Sequence, residues 1–118
     1  MVNQYETVFI LTPVLSESQI KETVDYFRKI ITDNGGELVH EEDWGLKKLA
    51  YPIQKKTTGY YHLFEFKAPG DLIEKLELEY RRSEKIMRFL TVKLDKYGIE
   101  YNERRRKKLQ EKQNETKN

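Results

Sequence analysis

At 118 residues the chain is long enough for one domain with a real core and too short for two. It has no cysteine, which excludes a disulfide scaffold and a thiolate metal site, and no apolar run nears the roughly 18 residues that cross a bilayer. The formal net charge is only +2 although 36% of residues are charged, so a polyanion would have to be met by local patches. From Glu100 onward seven Lys/Arg stand against four Asp/Glu, which leaves the preceding residues slightly acidic. The opening residues lack the basic-then-apolar pattern of a secretory leader, so a cytoplasmic location is expected, with no membrane.

Tyr5 to Leu11 is rich in aromatic and β-branched residues and reads as a strand that Pro13 ends. Ser16, with Gln19 three residues on, has the spacing of a capping box. Ile20, Val24, Phe27 and Ile31 then recur at steps of four, three and four, one face of a helix. Asn34-Gly35-Gly36 stops that helix. A second extended segment runs from Leu38 to about Ile53, with Gly45 marking a bulge and Pro52 confining the segment to a sheet edge. Gln54 to Thr58 reads as a polar loop and Tyr60 to Phe66 as the third strand. After the turn at Ala68-Pro69-Gly70, Asp71 is the expected cap of a second helix whose apolar face is Leu72, Ile73, Leu76 and Tyr80. Ile86 to Leu94 is the fourth strand.

The order strand, helix, strand, strand, helix, strand packs most simply as a split βαβ pair, an α+β arrangement. It predicts a four-stranded antiparallel sheet with both helices on one face and the first and third strands central. Strand alternation sends Tyr5, Thr7, Phe9 and Leu11 to one face and Glu6, Val8 and Ile10 to the other. Tyr60, His62, Phe64 and Phe66 likewise oppose Tyr61, Leu63 and Glu65. On the fourth strand Met87 and Phe89 oppose Ile86, Leu90 and Val92. The larger aromatic set is expected under the helices. Val8, Ile10, Tyr61, Leu63, Leu90 and Val92 then form a half-apolar open face, suited to a partner or to a tail folded back over it.

The stretch Leu46-Lys47-Lys48-Leu49-Ala50-Tyr51-Pro52-Ile53, answered by Gly59-Tyr60, sets cations beside aromatic rings, as an RNA-binding surface requires. With Tyr5-Glu6 on the first strand, it resembles the signature of the bacterial small-subunit ribosomal protein S-six family, from about Asn3 to about Lys93. The resemblance implies a ferredoxin-like βαββαβ domain, here residues 1–95, without catalytic activity or cofactor. It also implies a ribosome-bound protein that holds the central domain of small-subunit ribosomal RNA as a pair with ribosomal protein S-eighteen.

Candidate RNA contacts are Lys47, Lys48, Tyr51, Lys55 and Lys56 around the Tyr51-Pro52 corner, and Arg81, Arg82, Lys85 and Arg88 near the fourth strand's start. Residues 96–118 read as a basic tail without fixed structure. Its Arg104, Arg105 and Arg106 open a run of five cations, either a solubilising segment or a phosphate-binding arm. An enzyme or small-molecule site finds little support. His62 lies inside a strand, among rings. His40-Glu41-Glu42-Asp43 is split between two faces by alternation, leaving an exposed acidic edge and no metal site. The competing readings are a free single-stranded RNA binder of the recognition-motif type, which would need rings on the open face, and a small regulatory or enzyme domain of the same architecture.

Overall fold

The computed structural model describes residues 2–116. The elements are β1 (Val2–Leu11), α1 (Glu17–Asp33), β2 (Glu37–Ile53), β3 (Lys56–Pro69), α2 (Gly70–Arg82), β4 (Ile86–Lys93) and α3 (Lys96–Thr116). The four strands form one antiparallel sheet in the order β2-β3-β1-β4, with β1 and β3 central as expected.

The helix-covered face is dry and aromatic. Phe9, Phe27, Ile31, Phe64, Phe66, Leu72, Leu76 and Tyr80 are at most 1% exposed and form one cluster with Tyr5 and Leu11. The Phe9 ring stands 5.5 Å from Phe64 and 5.3 Å from Tyr80, and Phe27 stands 4.7 Å from Tyr80, all tilted contacts that suit ring quadrupoles. The Tyr80 hydroxyl is satisfied by Thr7 Oγ1 at 3.1 Å, and Thr7 Oγ1 also meets Thr91 Oγ1 at 2.8 Å. The expected N-cap of α1 is present in both directions. Ser16 Oγ accepts from the Gln19 N–H, and Gln19 Oε1 accepts from the Ser16 N–H.

Four local expectations are corrected. Asp71 does not cap α2. Pro69 occupies the cap position without a side-chain bond, and Asp71 lies in the first turn, where its charge favours the helix dipole. The loop expected at Gln54 to Thr58 shrinks to the two residues Gln54 and Lys55, because Thr57 and Thr58 are β-branched and continue β3. The φ values of Gln54 and Lys55, +51° and +67°, are both left-handed, as in a type I′ hairpin turn. Ile86 packs with the core rather than with Leu90 and Val92. It pairs with Leu11 across a register shift between Ile10 and Leu11, which reverses the alternation at that end of β4.

The fourth correction is the largest. The segment from Lys96, expected without fixed structure, is the helix α3, and it lies back across the open face of the sheet. Residues 117 and 118 of that expectation fall outside the described residues. The five-cation run was expected either to solubilise the chain or to bind phosphates. Instead Arg105 and Arg106 reach carboxylates on the sheet, so the repulsion is relieved within the chain.

Candidate nucleic-acid interface

The antiparallel order brings the ends of β1 and β2 and the starts of β3 and β4 to one pole of the sheet. The C-terminus of α2 arrives there too, and the Thr12 N–H donates to the Lys85 carbonyl at 2.9 Å across the pole. The candidate cations from two distant parts of the sequence therefore share one end of the molecule. Lys47, Lys48 and Lys55 are exposed on the hairpin, with Lys56 half-buried. Arg81, Arg82, Lys85 and Arg88 are exposed beside it.

The hairpin reaches its neighbours by a swelling in β2. Between the pairs Lys48–Thr58 and Ile53–Lys56, four residues of β2 stand opposite Thr57 alone. Pro52 has no N–H to donate, so an unbroken ladder is not available there. The arm bends over the open side. Leu49 is buried at its base, and a Cβ on Gly59 would fall 2.4 Å from Ile10 Cγ2 and 3.3 Å from Leu49 Cδ2, so only glycine permits the approach. At the arm's outer end the Arg88 guanidinium lies 4.9 Å from the Tyr51 ring centroid and donates to its hydroxyl. This contact joins the two basic groups into one rim. A second aromatic step lies further along β2. Trp44 stacks on Tyr61 at 6.2 Å and 23°, and Lys47 Nζ stands 4.9 Å from the Trp44 ring. Gly45, with φ +74°, forms the expected bulge at this point and turns the strand so that Lys47 comes back over the indole.

The cations of α3 are not brought to that pole. The helix starts at the opposite end of the sheet and crosses β1, β3 and β2 in turn. Asn102 is 7% exposed and donates to Glu6 at 2.8 Å and Glu65 at 2.9 Å. Glu65 is 1% exposed and also accepts from Gln4 at 2.5 Å and Arg106 at 3.5 Å, so this buried carboxylate is met by three donors. Arg105 donates to both oxygens of Glu42, at 3.2 and 2.6 Å. Together with Trp44 Nε1 and His40, this holds the Glu42 carboxyl down at about 2, with the Arg105 bond the largest cause, against the cost of partial burial. Arg105 and Arg106, expected at phosphates, are engaged by the protein itself, whereas Arg104 makes only a 3.9 Å exposed pair with Glu100.

The open face is correspondingly divided. Leu63, expected to be available to a partner, is 2% exposed, and Ile10 is 9% exposed. Tyr61 is half-buried against Trp44 and Val8 is half-buried, but Leu90 at 65% and Val92 at 41% remain in water. Only the half of the face nearer β4 is uncovered.

The acidic run 40–43 is only in part an exposed edge: Asp43 is exposed, but His40, Glu41 and Glu42 are half-buried. Alternation divides it as expected, and each half holds a helix. Glu42 takes Arg105 of α3 on one face; on the other, Glu41 takes Arg28 of α1 at 2.5 Å and His62 Nε2 at 2.7 Å. Burial lowers the affinity of the His62 ring for a second proton more than Glu41 raises it, so the imidazole is neutral and gives its Nε2 proton to Glu41. Its Nδ1 lone pair has no partner among the described residues. Arg28, Glu41 and His62 line a hollow of about 340 Å³ beside α1, but their bonds to one another fasten that helix to the sheet. The residues that sequence reasoning passed over are Tyr97 and Tyr101, 78% and 65% exposed on α3. Their spacing of four was legible; that a helix would carry them was not.

With this geometry in hand, comparison with known proteins is specific. The family model described as Ribosomal protein S6 matches residues 4–93. A small ribosomal subunit protein bS6 from Christiangramia forsetii is 62% identical over 111 residues, covering 94% of this chain and 99% of that protein. The namesake from Phocaeicola vulgatus is 63% identical over 105 residues, covering 89% and 92%. The crystal structure of the 30S ribosomal protein of this name from Thermotoga maritima superposes with a TM-score of 0.79 at 30% identity, over 91% of this chain and 99% of that one.

Proposed function

Because the chain belongs to the Ribosomal protein S6 family, and so is a structural protein of the small ribosomal subunit, we propose that it grips the central domain of small-subunit ribosomal RNA, in the cytoplasm, jointly with ribosomal protein S-eighteen. The rim of Lys47, Lys48, Lys55, Lys56, Arg81, Arg82, Lys85 and Arg88 takes phosphates, and Tyr51 offers a ring at its centre. The observation that carries this reading is the Tyr51–Arg88 contact, which fastens two basic groups 37 positions apart in sequence into one surface. The uncovered strip of Leu90 and Val92, with Val8 half-buried beside it, suits the partner protein, since apolar side chains left in water beside charge favour burial by another surface. The mechanism is cooperative: each protein buries surface on the other, and together they present enough phosphate contacts to hold an RNA junction.

A recognition-motif mode is less well supported. Phe9, one of the rings it would need, is fully buried under the helices, and Tyr61 is already stacked on Trp44. The test is affinity for a central-domain RNA fragment against salt concentration, with S-eighteen present. Changing Lys47, Lys48, Lys55 and Lys56 together to Ala should flatten the slope by about 2.8 to 3.6, at roughly 0.7–0.9 per phosphate contact. Sequence preference should not change, since phosphate contacts position RNA without reading bases. An unchanged slope would sink the assignment of the rim.

A further inference from the structure

The two sides of α3 have different chemistry. The inner side carries Asn102, Arg105 and Arg106, each bonded to a carboxylate of the sheet. The outer side carries Tyr97, Tyr101, Arg104 and Lys108, at steps of four, three and four, which is a single stripe on a helix. All four are exposed, and Tyr97 at 78% is more exposed than any other tyrosine among the described residues that the core leaves outside. Among the described residues neither ring makes a hydrogen bond or an aromatic contact. A shallow hollow of about 430 Å³ on this helix is lined by Tyr101 with Arg104, Arg105, Lys107 and Lys108, one ring among four cations.

We propose that this stripe is a second RNA contact, made to an unpaired segment: Tyr97 and Tyr101 stack on bases while Arg104 and Lys108 take the adjoining phosphates. The inference rests on the RNA-binding reading above and adds a separate site to it. Charge and shape select this ligand. Residues 96–110 hold six Lys/Arg and two Asp/Glu, an excess of cations that suits a polyanion. Flat rings interleaved with cations suit bases on a phosphate chain better than they suit a simple anion. Residues four apart on a helix rise about 6 Å, whereas neighbouring bases in a regular strand stand about 3.4 Å apart. The two rings therefore match a splayed single strand and not a paired helix, whose bases are closed to stacking.

The inner bonds serve this contact. With Glu65 buried beneath Asn102 and Arg106, the helix is held on the sheet and the two tyrosines are carried on a fixed support. Two acids lie nearby. Glu100 is 3.9 Å from Arg104 in an exposed pair, too weak to keep the guanidinium from a phosphate. Glu103 is exposed on the same helix.

The test uses the full chain with two probes, an unstructured oligouridylate and the central-domain RNA fragment. Three variants are compared: Tyr97→Ala with Tyr101→Ala, Arg104→Gln with Lys108→Gln, and the four-lysine hairpin variant. The tyrosine variant should weaken oligouridylate binding about ten-fold or more without changing its salt slope. The Arg104/Lys108 variant should lower that slope by about 1.4, two contacts at the single-strand value. The hairpin variant should weaken central-domain binding more than oligouridylate binding, and should leave the loss caused by the tyrosine substitutions unchanged when the two are combined. All substituted side chains are exposed except Lys56, which is half-buried, so the far-ultraviolet circular dichroism should be unchanged. An undiminished oligouridylate affinity in the tyrosine variant overturns the stripe. So does an equal loss of binding to polyglutamate, which would make it a general anion site, or a loss confined to S-eighteen pairing. If the hairpin variant alone loses central-domain binding, the stripe fails and the RNA reading stands. An unsubstituted chain that binds neither RNA overturns both.

Discussion

The two faces of the sheet are built from the same strands and are covered in opposite ways. Under α1 and α2 the contact is apolar and aromatic, with Phe9, Phe27, Phe64 and Phe66 fully buried. Under α3 the contact is a set of charge-assisted hydrogen bonds, to Glu6, Glu42 and Glu65. The first kind of cover is non-directional and withstands salt and acid. The second depends on geometry and on ionised carboxylates. The difference teaches which part of this molecule is permanent: the αβ core is the fold, and α3 is a cover whose hold can be titrated.

The largest effect should come from the apolar side. Phe27→Ala removes a ring that touches Phe9, Tyr26 and Tyr80 and should cost about 3–5 kcal/mol in denaturant unfolding. A loss below about 1 kcal/mol would mean that the aromatic cluster is not what holds the helices down.

Acid should act on the other side first. The Glu42 carboxyl is depressed from 4.5 to about 2, chiefly by Arg105. A depressed carboxyl stabilises the docked state fully above its unfolded value and loses that contribution as pH falls through its folded value. The docking of α3 through this pair is therefore intact above about 4.5 and weakens toward 2. Trp44 reports it, because its indole N–H also donates to Glu42 at 2.9 Å. Its fluorescence should change in that window, and Glu42→Gln should abolish the transition. A transition with its midpoint above pH 5 would exclude Glu42 as the cause.

The smallest effect on stability should be at the uncovered strip. Leu90→Asp replaces a side chain that is 65% exposed and should change unfolding free energy by about 0.5 kcal/mol or less. The same change should abolish co-purification with S-eighteen, because it would bury an unpaired charge in that contact. Global unfolding of this variant would show that the strip belongs to the core after all.

The fold was largely legible, for a definite reason. The alternation of Tyr5, Thr7, Phe9 and Leu11 and the four-three-four spacing of Ile20, Val24, Phe27 and Ile31 each admit one buried face. Those two patterns fix the layers. The candidate site was legible in residue type but not in grouping. Lys47, Lys55 and Arg88 could be named, but their meeting required the swelling between Lys48 and Ile53, which no local propensity announces. The tail was misjudged because its helix is held by polar contacts. Asn102, Arg105 and Arg106 leave no apolar periodicity, and their partners, Glu6, Glu42 and Glu65, lie at least 37 residues away in sequence. The cation run reads as a solubilising segment or a phosphate-binding arm, yet the counter-charges of Arg105 and Arg106 are already in the chain.

The bulge at Gly45 and the proline at position 52 have one more consequence, for how the free protein avoids its own kind. β2 is an outer strand of the sheet, seventeen residues long, and a straight strand of that length would be a template for another copy. The positive φ of Gly45 tilts it, and Pro52 offers no N–H, so its rim cannot continue a regular ladder into a second sheet. The opposite rim, β4, is only eight residues long and carries Arg88 and Lys93 exposed. Both margins of the sheet are thus protected against strand addition, which matters for a chain that must stay dispersed between synthesis and assembly.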